Sequence, residues 1–157
     1  MAKNFVRQLM FREAFLWEAE VEDFVKERMK GYTLNVPCGK SKIGDVRLDV
    51  DENLSMRGAY DFFKDEIPFE QNTFDTVISD PPWKIGHYFR PRLFFSLVEV
   101  CKVGGMIIYN APWIPTSKFS ELKETWIRQS SQFSNASIIS LFKKTKDVPK
   151  TMRSVSK

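Results

Sequence analysis

Residues 35–52, NVPCGKSKIGDVRLDVDE, decide the fold, because Gly39, Lys40 and Ser41 spell the last letters of a phosphate-binding P-loop. A P-loop needs a glycine five positions before its Gly-Lys-Ser, and its Lys and Ser must open a helix whose N-terminus cradles phosphates. Both requirements fail. Leu34 holds the upstream position inside a β-type run, and only Lys42 and Ile43 separate Ser41 from Gly44, where a second β-type run begins. The segment therefore reads as strand, tight turn, strand. A turn at Pro37, Cys38, Gly39 and Lys40 lets a ligand approach the backbone, with Gly39 presenting no side chain. Asp49 ends the next strand, where an acid can accept hydrogen bonds from two ribose hydroxyls. Asp51 and Glu52 are alternatives for the same role.

Outward from this turn, β-type runs recur at 32–37 (YTLNVP), 45–50 (DVRLDV), 74–80 (FDTVISD), 104–112 (GGMIIYNAP) and 136–142 (ASIISLF). Five strands are expected. Phe5, Leu9, Phe15, Leu16, Phe24, Val25 and Met29 recur at roughly helical spacing, which predicts a helical lead-in over 1–31, ended by Gly31. Helices are also expected within 90–103 and 117–133, the latter with Ser117 or Ser120 as N-cap. Strands alternating with helices point to a parallel α/β sheet, whose ligands sit at the carboxyl ends of the strands.

Composition narrows the function classes. With 157 residues, 43% apolar and 14% aromatic, the chain is expected to form one domain with an ordinary core, without a separate recognition domain. No apolar run approaches the ~18 residues of a membrane span, so a soluble, cytoplasmic protein is expected. Cys38, Cys101 and the single histidine, His87, form neither a disulfide framework nor a metal-ligand pattern. The formal charge of +4 permits a polyanionic partner. In the closing stretch 143–157, Lys143, Lys144, Lys146, Lys150, Arg153 and Lys157 face one acid, Asp147. That stretch reads as a flexible, solvated tail or as a nucleic-acid contact.

The most specific signal is 74–83, FDTVISDPPW. An apolar strand delivers Asp80 to its carboxyl end, and Pro81 and Pro82 hold the following backbone extended. Trp83 is kept beside them. Backbone carbonyls, a carboxylate and an aromatic plate together suit a planar amine, held through its N–H groups while the ring stacks.

The segments 34–52, 60–83 and 99–113, in that order, resemble class I S-adenosylmethionine-dependent methyltransferases carrying the Asp-Pro-Pro-Trp box of amino-nitrogen methylation. The similarity runs from about residue 32 to 142 and is greatest to small, truncated members from archaea and their viruses. It implies a Rossmann-like three-layer α/β sandwich with a mostly parallel, reduced central sheet. It also implies that Pro37, Cys38, Gly39 and Lys40 border the methionine part of S-adenosylmethionine and that Asp49 binds its ribose. Asp61 would meet the adenine amino group and Phe62 would line its ring. Asp80, Pro81, Pro82 and Trp83 would hold the target amine, and 102–105 would turn into the fifth strand of that family. The chain departs from the family in its reduced glycine turn, where Pro37 and Ser41 stand at usual glycine positions, and in lacking most of the helix between the first two strands.

Asp80 and Trp83 favour adenine N6 in DNA as the implied target. The alternatives are cytosine N4, an RNA base, a protein amide, or a binding module that keeps the fold without turnover. Cytosine C5 chemistry needs a cysteine after the prolines, and Trp83 stands there. Around the box, His87 is a candidate proton carrier, Arg90 and Arg92 candidate phosphate contacts, and Trp113 a candidate second wall for the base. A homodimer is compatible with a symmetric nucleic-acid site.

Overall fold

The computed structural model describes residues 19–61, 64–129 and 136–149. In chain order the elements are α1 (Ala19–Arg28), β1 (Thr33–Asn35), β2 (Val46–Arg47), β3 (Phe74–Ser79), α2 (Phe89–Val100), β4 (Cys101–Ala111), β5 (Ser120–Gln129) and β6 (Ala136–Lys144). They build one mixed sheet of six strands in the order β2-β1-β3-β4-β6-β5. The first four strands pair in parallel, and β6 runs antiparallel to both β4 and β5. The expected α/β class and mostly parallel sheet are observed, with few helices.

Burial follows the two-residue alternation of the strands. On one face Val77, Ile107 and Tyr109 pack against Leu93, Phe94, Leu97 and Val98 of α2. On the other, Ile78, Ile108, Ile139 and Leu141 meet Val21, Phe24 and Val25 of α1. Each such side chain contributes about 1.5–3 kcal/mol when taken fully from water. The helical lead-in is present as α1, and its portion over 1–18 lies outside the described residues. Gly31, at φ 64°, closes the turn into β1, where a side chain would run into the Asp75 carboxylate. That carboxylate accepts the Tyr32 N–H at 2.8 Å and pairs with Lys102 at 3.0 Å.

Three expectations need correction. The expected helix within 117–133 is not formed over 117–129, where 120–129 is β5, so the sheet has six strands, and 130–133 lies outside the described residues. Its Glu, Leu, Lys, Arg and Gln are good helix formers, but pairing along β6 and the packing of Trp126 on Phe24 override that local preference. Ser117 caps no helix and instead accepts the Phe119 N–H at 3.1 Å. Residues 102–105 lie inside β4, where the register with β3 jumps from Phe74↔Cys101 to Thr76↔Met106. In the closing basic run Lys144 departs from the expected solvated tail, Lys143 and Lys146 are exposed, and 150–157 lies outside the described residues. Lys144 is fully buried and donates to Asn72 Oδ1 (2.9 Å) and to the carbonyls of Glu99 (3.1 Å) and Cys101 (2.8 Å). Val148 is buried in the core below it.

β4 and β5 run parallel with β6 between them, and residues 112–119 cross over without a helix, anchored by buried Phe119. Parallel crossovers usually take a dozen or more residues. No helix among the described residues is long and apolar enough to cross a membrane.

Candidate active site

After β1 the chain steps to the outer neighbour β2, and then returns across β1 to β3. The carboxyl ends of β1 and β3 therefore flank a topological switch point, the place where open α/β sheets hold ligands. Backbone bonds carry both pairings past the strand ends: Val36 N–H reaches Ile78 O at 3.0 Å, and Cys38 N–H reaches Leu48 O at 2.9 Å. The turn at 37–40 thus rises from a fixed base.

Within it the Val36–Pro37 peptide is cis and Gly39 has φ 53°. Gly39 N–H donates to Asp49 Oδ2 at 2.8 Å, and Asp51 N–H donates to Asp49 Oδ1 at 3.1 Å. Asp49 is only 6% exposed. Its carboxylate thus ties the turn after β1 to the turn after β2, while one further lone pair on each oxygen remains available to an acceptor-seeking group. Cys38 is buried, with Sγ directed at the carbonyls of Gly39 (3.4 Å) and Leu54 (3.7 Å). Burial, and then the Asp49 charge, push its thiol up to about 11. Lys40 is exposed and Pro37 half-buried.

From Asp49 the backbone leads on to Asp61, since Tyr60 N–H donates to Asp49 O at 2.7 Å. Asp61 opens a tight turn. Its N–H donates to Asp65 Oδ2 at 2.8 Å, and its half-buried carboxylate lies 3.8 Å from Lys64 Nζ. Phe62, its expected companion, lies outside the described residues.

At the end of β3, Asp80 is half-buried, Pro81 buried, Pro82 exposed and Trp83 half-buried against the core. Pro82 O accepts the Ile85 N–H at 3.0 Å, which folds the box back toward α2. Across the sheet, at the end of β4, Asn110 Nδ2 points at Asp80 Oδ1 at 3.4 Å, and Asn110 Oδ1 is buried without a hydrogen-bond partner. Sequence reasoning missed Asn110. The available signal was a lone amide at the carboxyl end of an apolar strand, the same position that Asp80 holds on β3.

The second aromatic, Trp113, packs against the core. Its ring centroid is 6.3 Å from that of Tyr109, and the Arg90 guanidinium lies 3.8 Å over its ring. Arg90 is held there by Ile85 O at 3.1 Å and faces His87 Nδ1 at 3.4 Å. One face of Trp113 is thus covered by an arginine, which narrows its use as a wall for a base. His87 is exposed. Arg92 lines a groove of about 390 Å³ between 65–70 and α2 with Phe95, Ser96 and Glu99. The structure therefore gathers Pro37–Lys40 with Asp49, and Asp80–Trp83 with Asn110, at one end of the sheet.

No protein-family model matches the chain, and no curated protein matches it. Solved structures do. One is a protein from a study of the conversion of a disulfide bond into a thioacetal group during echinomycin biosynthesis, at TM-score 0.58 and 11% identity, covering 88% of this chain and 86% of that one. Another is a 16S rRNA guanine-N2 methyltransferase of T. thermophilus in complex with S-adenosylmethionine and guanosine, at TM-score 0.51 and 12% identity. That match covers 85% of this chain but only 41% of the T. thermophilus chain. At these identities the likeness is one of fold: this chain is built on an α/β framework that a base-modifying methyltransferase also uses.

Proposed function

We propose that the protein is an S-adenosylmethionine-dependent methyltransferase acting on an exocyclic amino nitrogen, with adenine N6 in DNA as its substrate. The observation that carries this reading is the placement of Asp80-Pro-Pro-Trp83 and Asn110 beside the Gly39–Asp49 turn at the switch point of the sheet. The donor set fits the cofactor. Asp49 keeps a lone pair on each oxygen for ribose hydroxyls, Gly39 offers a backbone without a side chain, and Asp61 follows at the next bend.

S-adenosylmethionine supplies a methyl group on a sulfonium, and the sulfur keeps the electron pair of the broken C–S bond. The chain has to orient the amine. Asp80 accepts an N–H through its carboxylate, Trp83 stacks on the ring, and Asn110 steadies Asp80 from β4, so the nitrogen lone pair faces the methyl carbon, and the proton the methylated nitrogen loses leaves to solvent. A base in a duplex has to leave the stack first, which costs a few kcal/mol that a single strand avoids. No thiol enters this scheme, and Cys38 and Cys101 are both buried and held protonated.

Methyl-labelled cofactor with adenine-only and cytosine-only oligonucleotides, as DNA and RNA and as single and double strands, tests the reading. Label on the adenine amino group of DNA is expected. Label on cytosine alone replaces adenine N6 with the N4 assignment, and label on RNA alone moves the substrate toward that of the T. thermophilus protein. One observation favours a second reading, a binding module without turnover: both Asp49 oxygens already hold the chain's own N–H groups. Calorimetry sets the saturating cofactor concentration, and the methyl-transfer assay run there separates the two, because the module reading requires no transfer.

A further inference from the structure

β5 ends the sheet, and among the described residues its outer edge pairs with no strand. Exposed edges are usually shortened, twisted by bulges or broken by proline. Here an irregularity between Leu122 and Glu124 disturbs only the start of the strand, and pairing with β6 is regular from Glu124 to Gln129. That regular half contains neither Pro nor Gly. It also concentrates exposed apolar surface: Trp126 is 50% and Ile127 69% exposed, with Leu122 at 42% just before them.

We propose that this edge is where two copies of the chain pair, antiparallel, about a two-fold axis through Trp126. In such a pairing the axis stands perpendicular to the sheet, so each residue faces the one equally far beyond the axis, on the same face. Centred on Trp126, the indole meets its own copy, Thr125 faces Ile127 twice, and Glu124 faces Arg128 twice. Aromatic, β-branched and opposite-charge pairs across strands are the stabilising ones. Glu124 also lies 3.5 Å from the Arg28 guanidinium; centring on Glu124 opposes two carboxylates, centring on Thr125 sets Glu124 against Trp126, and centring on Ile127 takes the indole off its own copy. The strand carries two acids, Glu121 and Glu124, and two bases, Lys123 and Arg128. That balance offers no net attraction to a nucleic acid or to a strongly charged peptide, whereas it is self-complementary. A second copy is the occupant this edge fits.

Sedimentation equilibrium of the full chain is expected to give twice the 18.4 kDa chain mass. Ile127→Lys, at an exposed position that the core does not use, is expected to give a monomer with an unchanged circular dichroism spectrum. Trp126→Cys is expected to form a disulfide-linked dimer on mild oxidation and Ile127→Cys is not, because only the residue on the axis faces its own copy at bridging distance. Cys38 and Cys101 are buried and do not compete. A wild-type chain that stays monomeric across the concentration range overturns the proposal, as does a dimer that survives Ile127→Lys. Cross-linking through position 127 instead of 126 overturns the register.

Discussion

The backbone N–H of Gly39 donates to Asp49 Oδ2 at 2.8 Å, so the acid at the end of β2 holds the turn at the end of β1. Substituting Asp49 therefore acts on the fold and on the ligand at once. Asp49→Ala is expected to weaken S-adenosylmethionine binding by about 1.5–3 kcal/mol, the range for hydrogen bonds to a charged group. It should also lower the urea midpoint, since two backbone N–H groups lose their acceptor. Calorimetry and urea titration read the two effects separately, and unchanged values in both would contradict the role given to this carboxylate.

The amine box is expected to behave differently. Asp80→Ala and Trp83→Ala should remove most methyl transfer while leaving cofactor affinity nearly intact, because both residues face the target. Asn110→Ala reaches the amine only through Asp80, so a smaller loss of turnover is expected, roughly tenfold, with KM for the nucleic acid little changed. Steady-state kinetics with labelled cofactor checks the order. An Asn110→Ala loss seen only in KM would assign that residue to substrate binding.

Lys144 is expected to be among the most sensitive positions for stability. Its ammonium is fully buried and bound to three acceptors. Lys144→Ala leaves two carbonyls and the Asn72 side chain without their donor, at a cost of about 2–4 kcal/mol. Urea unfolding measures it, and a change near zero would show that water or another donor replaces the ammonium.

Alkaline pH should destabilise the fold through its buried thiols. Burial pushes Cys38 up to about 11 and Cys101 up to about 12, from 9.0 for an unconstrained thiol. The folded state therefore keeps protons that the unfolded chain releases above pH 9, so stability is full below that pH and declines from 9 toward 12. Buried Tyr60 and Tyr109 are shifted in the same direction. Cys101→Ala should flatten the decline in urea midpoint across this window, and an equal slope in both proteins would refute the assignment.

Much of the fold was legible because the relevant patterns are local. The apolar run of 74–79 could only be a buried strand, and Pro81 and Pro82 forbid helix directly after it, so Asp80 and Trp83 had to stand at a strand end. The segment 35–50 excluded a P-loop by spacing alone. Strand β5 was not legible, because residues 120–129 are good helix formers and become a strand only through their partner β6, which follows after an intervening segment in sequence. Local propensity yields when a paired, half-covered alternative exists.

The same division runs through the site. The amino-acid sequence by itself determined the class of sheet, the carboxyl ends of β1, β3 and β4, and the residue types at them, since periodicity and proline act over a few neighbours. Only the tertiary structure decided what those residues touch. It turned Asp49 inward onto Gly39, set Asn110 beside Asp80 across 30 residues of chain, laid Arg90 over Trp113, and buried the charge of Lys144. Each of these is a contact between segments distant in sequence, and its energy depends on burial and on partner geometry. Neither quantity exists until the chain has closed on itself.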